Sequence, residues 1–171
     1  DPIEFARTHP DLDAAWASCD RGDWLAWYVA SRGSEADRKL LAKAISSVLL
    51  LSLGPRFPGD VAVENAEAGF LVHRWARGEV TSDEVMDLKR DWSSDAARAL
   101  CALAWADRHL GDVGANAVMA AASFAADSWY AEVLAAGGNA QDAAAAEKSA
   151  VLSHVAVAIR GSWPGFPSLL G

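Results

Sequence analysis

The sequence predicts an all-α protein, a compact alanine-rich bundle of about six to seven helices in a single domain over residues 1–171. Alanine is the strongest helix former and supplies 37 of the 171 residues, 19 of them between positions 101 and 150. No run alternates β-branched and polar residues between two-residue turns, which is the pattern of strands. At this length one domain can bury a substantial core.

Two helices are predicted first, joined by a turn of sequence DRGD. The first covers about residues 11–19 and places Trp16 on its inner side. Asp23 is predicted to cap the second helix, because a carboxylate accepts hydrogen bonds from the free amides of a first turn. Trp24 and Trp27 follow at helical spacing and give this helix a broad aromatic face.

A long apolar helix is predicted next, over about residues 35–53, with Ser34 as its N-cap. Apolar side chains cover much of its circumference, so we expect it to be the central, most buried helix. The segment 54–60 (GPRFPGD) is a loop, because two prolines and two glycines cannot continue a helix. A further helix over about 61–77 ends at Gly78, a residue suited to closing a helix.

The second half of the chain predicts the remaining helices and an irregular tail. A capping box of sequence TSDE opens a helix over about 82–109, interrupted near Ser93. The segment LGDVGA breaks the pattern, and helices resume over about 116–136 and 140–160. The tail 161–171 (GSWPGFPSLLG) is predicted to pack its aromatic residues back on the body.

Eight tryptophans are the most unusual feature of the composition. Because the later helices carry small residues where leucine is usual, their axes can approach closely and leave aromatic side chains to fill the remaining volume. This predicts a tryptophan-rich core. The alternative is that the tryptophans line an apolar cavity, as in many small-molecule sites. The eight are Trp16, Trp24, Trp27, Trp75, Trp92, Trp105, Trp129 and Trp163.

Charge and cysteine content limit the classes of function. The formal net charge is −8, which argues against nucleic-acid or anionic-membrane binding, since both need clustered lysine and arginine. No apolar run has the length of a membrane span and no signal peptide is recognisable, so we expect a cytoplasmic protein. Cys19 and Cys101 are predicted to be buried free thiols, with an activated Cys19 or a disulfide as alternatives.

No catalytic site can be assigned from motifs. The sequence has no phosphate-binding loop, nucleophile elbow or zinc-type ligand spacing, and the Glu-x-x-His pairs of di-metal bundles are absent, so we expect no metal and no cofactor. If the protein were an enzyme, its acid–base groups would come from Glu64, Glu67, His73 and Asp95. The alternative is that these carboxylates are solvated or accept hydrogen bonds from buried tryptophans.

Two segments together resemble a known family. They are Ala15–Ala30 (AWASCDRGDWLAWYVA) and Val61–Val85 (VAVENAEAGFLVHRWARGEVTSDEV). Over about residues 12–135 the chain is similar to the small all-α immunity proteins of polymorphic-toxin systems. The resemblance implies a protein that binds and neutralises a cognate toxin by stoichiometric occlusion, without catalysis. The tail departs from the family, whose members usually end in a charged helix.

Two hypotheses of function follow, and they share one set of candidate binding residues. In the first, an acidic surface complements a basic protein toxin. In the second, the chain is a metal-free enzyme or binding protein that holds a small apolar or aromatic molecule in a tryptophan-lined cavity. The candidate residues are Asp23, Trp24, Trp27, Glu64, Glu67, Arg74, Trp75 and Trp92.

Overall fold

The computed structural model describes residues 1–53, 60–89, 93–104 and 110–166, and these segments form nine α-helices without a strand. The all-α prediction is confirmed, with slightly more helices than the six to seven expected. The helices are α1 (Pro2–Arg7), α2 (Leu12–Ser18), α3 (Gly22–Arg32), α4 (Glu35–Leu53), α5 (Asp60–Ala76), α6 (Ser82–Lys89), α7 (Asp95–Ala102), α8 (Leu110–Ala135) and α9 (Ala140–Ser162).

Helix α8 lies at the centre of the bundle and packs most extensively against α9 and α3. Its inner face consists of alanines, among them the fully buried Ala117, Ala121 and Ala122. These small side chains let the helix axes approach closely. The prediction that α4 is the central helix is wrong, because α4 buries Leu41 completely but exposes the neighbouring Leu40.

Two glycines mark the closest helix contacts. Gly114 lies inside α8, where an added Cβ atom would lie 2.9 Å from the carbonyl oxygen of Ala26 in α3. At Gly22, the first residue of α3, a Cβ atom would lie 2.6 Å from the carbonyl oxygen of Leu152 in α9. The prediction that LGDVGA interrupts the helix is wrong, because its glycine serves close packing inside a continuous helix rather than a turn.

Most of the predicted helix ends are confirmed. The Ser34 hydroxyl accepts the amide hydrogen of Asp37, whose carboxylate accepts the amide hydrogen of Ser34 in return. Thr81 and Glu84 form the same reciprocal pair at the start of α6. Gly78 follows α5 with φ at +75°, the left-handed conformation that glycine adopts without strain.

Two helix starts differ from the prediction. Asp23 lies inside the first turn of α3, and Arg21 stands at the N-cap position without a side-chain cap. The sequence pattern also does not predict α1, which the Asp1 carboxylate caps by accepting the amide hydrogen of Ile3 at 2.7 Å. Pro2 opens that helix, where a proline lacks only an amide that has no helical partner.

The tryptophan-rich core is confirmed in part. Among the six described tryptophans three are buried, one is half-buried and two keep more than a third of their surface exposed. In that order they are Trp16, Trp75, Trp163, Trp24, Trp27 and Trp129. Trp92, Trp105 and residues 54–59 of the predicted loop lie outside the described residues, whereas Asp60, which the prediction placed in that loop, opens α5.

Both cysteines are buried free thiols, as predicted. The interruption near Ser93 is confirmed, since α6 ends at Lys89 and α7 begins at Asp95. Over the described ranges, none of the helices combines the length and the hydrophobicity that crossing a membrane requires.

Candidate functional site

An apolar groove of about 620 Å³ lies between α1, α2, α3 and the segment that follows α9. Aromatic and aliphatic side chains form most of its surface. Its volume falls within the range of about 300–1,000 Å³ that is typical of small-molecule sites. The lining residues are Pro2, Ile3, Phe5, Ala6, Leu12, Ala15, Trp16, Cys19, Trp24, Leu25, Trp27, Tyr28, Arg32 and Phe166.

Helix α3 supplies one continuous side of the groove. Trp24, Tyr28 and Arg32 are four residues apart and therefore share one helical face, with Trp27 beside them. Helix α1 reaches this face through Phe5, whose ring meets the ring of Trp24 edge-on with centroids 5.7 Å apart. The sequence motif with two tryptophans and a tyrosine is thus the wall of a groove as well as part of the core.

The opposite side is held by the buried Trp16 of α2. Its indole N–H donates to the carbonyl oxygen of Trp163 at 3.1 Å, which fixes the segment after α9. Phe166 in that segment packs on Tyr28 with ring centroids 4.9 Å apart, and its amide donates to Asp13 at 2.9 Å. The predicted return of the aromatic tail is confirmed for Trp163 and Phe166.

A salt bridge supports the Trp24 end of the groove. Two guanidinium nitrogens of Arg21 donate to the two carboxylate oxygens of the buried Asp23, at 2.8 Å and 2.7 Å. The same guanidinium lies over the Trp24 ring, 4.6 Å from its centroid. The hydrogen bonds that Arg21 donates to Asp23 raise the pKa of Arg21, so the guanidinium stays charged. Asp23 therefore positions Trp24 and does not itself line the groove.

The polar groups of the groove are few. Burial raises the pKa of the Cys19 thiol, which leaves it protonated at neutral pH and argues against the activated-thiol alternative. Burial also raises the pKa of Tyr28, and the nearby Arg32 guanidinium partly offsets that rise. At neutral pH the charge in the lining is consequently the positive charge of Arg32.

The predicted residues of α5 lie elsewhere and have structural partners. Glu64 accepts hydrogen bonds from the Ser94 amide at 2.7 Å and the Ser93 hydroxyl at 3.0 Å. These bonds, that of the Ser94 amide foremost, lower the pKa of Glu64. The indole N–H of the buried Trp75 donates to the Ser82 hydroxyl at 3.1 Å. Glu64 therefore ties α5 to the start of α7, as a capping carboxylate does.

The other candidate acid–base groups are not assembled into a site either. Arg74 lies 3.6 Å from the carboxylate of Glu79, and Asp95 pairs with the arginine one turn along its own helix. His73 shares a hydrogen bond of 3.2 Å with the Ser47 hydroxyl, and burial lowers its pKa. Glu67 is exposed on α5. Within the described segments, no three histidine, cysteine or acidic side chains cluster in a way that could hold a metal ion.

The structure thus divides the predicted set. Trp24 and Trp27 line the groove, whereas Glu64, Glu67, Arg74 and Trp75 lie outside its lining, as do His73 and Asp95. The α5 carboxylates do not supply polar groups to this groove, and Trp92 lies outside the described residues. Sequence reasoning missed the groove residues Phe5, Leu12 and Arg32. Of these, Arg32 could have been found from its spacing to Tyr28.

A second aromatic surface lies at the end of α8. Trp129, Tyr130 and Leu134 are all exposed there, and Asp127 and Glu132 beside them have no charge partner among the described residues. Between Arg108 and Lys148 the sequence contains no lysine or arginine. This α8 surface therefore combines exposed apolar area with acidic side chains of the same helix.

Comparison with protein-family models, with curated proteins and with solved structures finds no match to this chain. The resemblance to immunity proteins accordingly stays a prediction.

Proposed function

We propose that the protein binds a small apolar or aromatic molecule in the groove along α3. The observation that carries the proposal is a groove of about 620 Å³ whose walls are rings held in fixed contacts. A site that is already formed before binding loses little conformational entropy when a ligand enters. The groove holds no assembled acid–base pair, so binding rather than catalysis is the activity that its chemistry favours.

Exposed apolar area at the rim supports this proposal. Ile3 and Leu12 are 56% and 50% exposed, and Trp27 is 36% exposed. Covering such surface is favourable by about 25 cal/mol for each Å² removed from water. A ligand that touches all three side chains would therefore gain affinity at the rim as well as inside.

A second candidate function is protein binding through the α8 surface, as the resemblance to immunity proteins implies. Trp129 is 38% exposed beside the acidic residues Asp127 and Glu132, which have no ion pair among the described residues. An aromatic patch flanked by negative charge suits a basic partner, because charge complementarity speeds association and aromatic side chains supply much of the binding energy. A cognate basic toxin is the partner that this candidate proposes.

Two matched tryptophan variants test both candidates. Trp27 and Trp129 are almost equally exposed, but only Trp27 lines the groove. With N-phenyl-1-naphthylamine as a fluorescent apolar probe, we expect saturable one-to-one binding that Trp27→Ala weakens about tenfold, the loss of one well-packed aromatic contact. Trp129→Ala should change the probe affinity less than twofold. Equal losses in both variants, or no saturable binding, would contradict the groove proposal.

The same pair tests the protein-binding candidate by native mass spectrometry of gently purified material. A one-to-one protein complex that is lost in Trp129→Ala and kept in Trp27→Ala would support it. A complex that neither variant weakens would contradict the α8 surface as its interface. A chain that ends at Phe166 is a further control for the groove. It keeps the last lining residue and removes only residues 167–171.

A further inference from the structure

The charge of the groove is concentrated at one point. Among the lining residues Arg32 carries the full charge, while Cys19 and Tyr28 are the uncharged polar members. Arg32 is exposed and forms no ion pair with any described residue. Arg77, by contrast, pairs with a carboxylate two residues away.

The position of Arg32 gives the groove a direction. Trp24, Tyr28 and Arg32 lie along one face of α3 over about 12 Å, at 1.5 Å for each residue. The Trp24 end carries the ring of Phe5, and Arg32 stands at the other end, one turn beyond Tyr28. An elongated ligand lying along α3 would therefore place its apolar body against the rings and one end near Arg32.

We infer that the ligand of this groove is an amphipathic molecule, an apolar or aromatic body with one anionic group, and that Arg32 binds that group. This inference rests on the proposed function. An uncharged ligand would gain nothing from the charge of the guanidinium, and a cationic one would be repelled by it. The C-terminus of α3 carries a partial negative charge that opposes an anion, but the full charge of the guanidinium exceeds it.

Carboxylate and sulfonate fit the site best, because a guanidinium donates two parallel hydrogen bonds to such groups. The Tyr28 hydroxyl is a second hydrogen-bond donor in the lining, and burial raises its pKa. Since Arg32 is exposed to water, its contribution to affinity is modest and depends on salt.

Two fluorescent probes with the same skeleton provide the test. The probe 8-anilino-1-naphthalenesulfonate carries a sulfonate, and N-phenyl-1-naphthylamine lacks it. We expect Arg32→Gln to weaken binding of the sulfonate probe about fivefold and to leave the neutral probe within twofold. Raising the salt concentration from about 50 to about 500 mM should weaken the sulfonate probe for the wild type but not for the variant. Arg7→Gln is the matched control, since Arg7 is an exposed arginine outside the lining.

The outcomes separate this inference from the proposed function. If the neutral probe binds the wild type and Arg32→Gln affects both probes equally or neither, the inference is overturned and the proposed function stands. An equal loss of the sulfonate probe in Arg7→Gln would also overturn the inference. If neither probe binds saturably to the intact chain, both proposals fail. A selective loss of the sulfonate probe in Arg32→Gln alone supports the inference.

Discussion

Helix α3 takes part in two regions that are packed in opposite ways. Toward α8 and α9 it presents Gly22, Ala26 and Ala30, and the three helices close on one another with backbone atoms nearly in contact. Toward α1 and α2 it presents Trp24 and Tyr28, and there a groove of about 620 Å³ stays open. Small side chains allow backbones to meet, whereas large planar rings in edge-to-face and tilted contacts leave space between them.

The contrast explains where a ligand can enter. In the closed region a new atom would meet backbone, which cannot yield without moving a helix. In the aromatic region the side chains on the two sides of the groove are already separated. A new atom there would contact ring faces and aliphatic side chains without moving a helix. One helix sequence therefore stabilises the bundle with one face and offers a binding surface with another.

The largest expected effect comes from adding one methyl group to the closed region. In Gly22→Ala the new Cβ atom would lie 2.6 Å from the Leu152 carbonyl oxygen and 2.8 Å from the Val155 Cβ atom. We expect the free energy of unfolding to fall by about 1–3 kcal/mol, the usual effect of overpacking. Urea denaturation monitored by tryptophan fluorescence measures this loss.

Gly161→Ala is the matched control for that prediction, since a Cβ atom there meets nothing within 4 Å in the last turn of α9. This variant should be neutral or stabilised by up to about 1 kcal/mol, as alanine is the better helix former. Equal stability of Gly22→Ala and Gly161→Ala would contradict the prediction. It would show that the contact between α3 and α9 accommodates the added methyl group without loss.

A smaller effect is expected in the aromatic region. Trp16→Phe keeps a ring in place but removes the N–H that donates to the buried Trp163 carbonyl. We expect a loss of about 1–2 kcal/mol in the free energy of unfolding, because a buried acceptor is left without its partner. Thermal and urea denaturation both report it.

Trp24→Phe is the comparison for Trp16→Phe. The Trp24 indole nitrogen has no hydrogen-bond partner among the described residues, and its ring contact with Phe5 would survive the change. Its loss of stability should therefore be smaller. A larger loss for Trp24→Phe would mean that the Arg21–Trp24 contact, and not the anchoring of the chain after α9, holds the aromatic region together.

The features that sequence alone predicted are those with local causes. The capping pairs of Ser34 and Thr81 and the closing glycine at Gly78 depend on residues at most four positions away, and all three are confirmed. The helix through Gly114 was missed, because its glycine is explained by a contact with Ala26, 88 positions earlier in the chain. A glycine that ends a helix and a glycine that allows two helices to pack closely look the same in the sequence.

The candidate site was predictable only in part for the same reason. Trp24 and Trp27 were found because their spacing on one helix is visible in the sequence. Phe166 joins them only through the fold, since Trp16 binds a carbonyl 147 residues away and so brings the tail to α3. The hydrogen bond from the Ser94 amide to Glu64 could not be predicted, because Ser94 lies 30 residues along the chain. Residue types suggest chemistry, but long-range contacts decide which of them meet.

The smallest effect compares the groove with the closed core of the bundle, without any mutation. Cys19 lines the groove, whereas Cys101 is completely enclosed in the core. We expect N-ethylmaleimide to label native Cys19 before Cys101, with both slower than in the urea-unfolded chain, as peptide mass mapping can measure. Saturating N-phenyl-1-naphthylamine should slow Cys19 and leave Cys101 unchanged. A probe that protects neither thiol, or both equally, would place its site outside the groove.

The pH dependence of that labelling has a defined sign. Burial raises the pKa of Cys19, so its reactive thiolate forms at a higher pH than that of an ordinary thiol. The labelling rate of Cys19 should therefore still increase with pH where the rate of an exposed thiol has reached its plateau. The stability linked to the neutral thiol is present below its unfolded pKa and is lost as the pH rises through the folded value. Labelling near neutral pH therefore reports access through the intact groove. A Cys19 rate equal to that of a free thiol at that pH would mean that α1 and α2 open readily from α3.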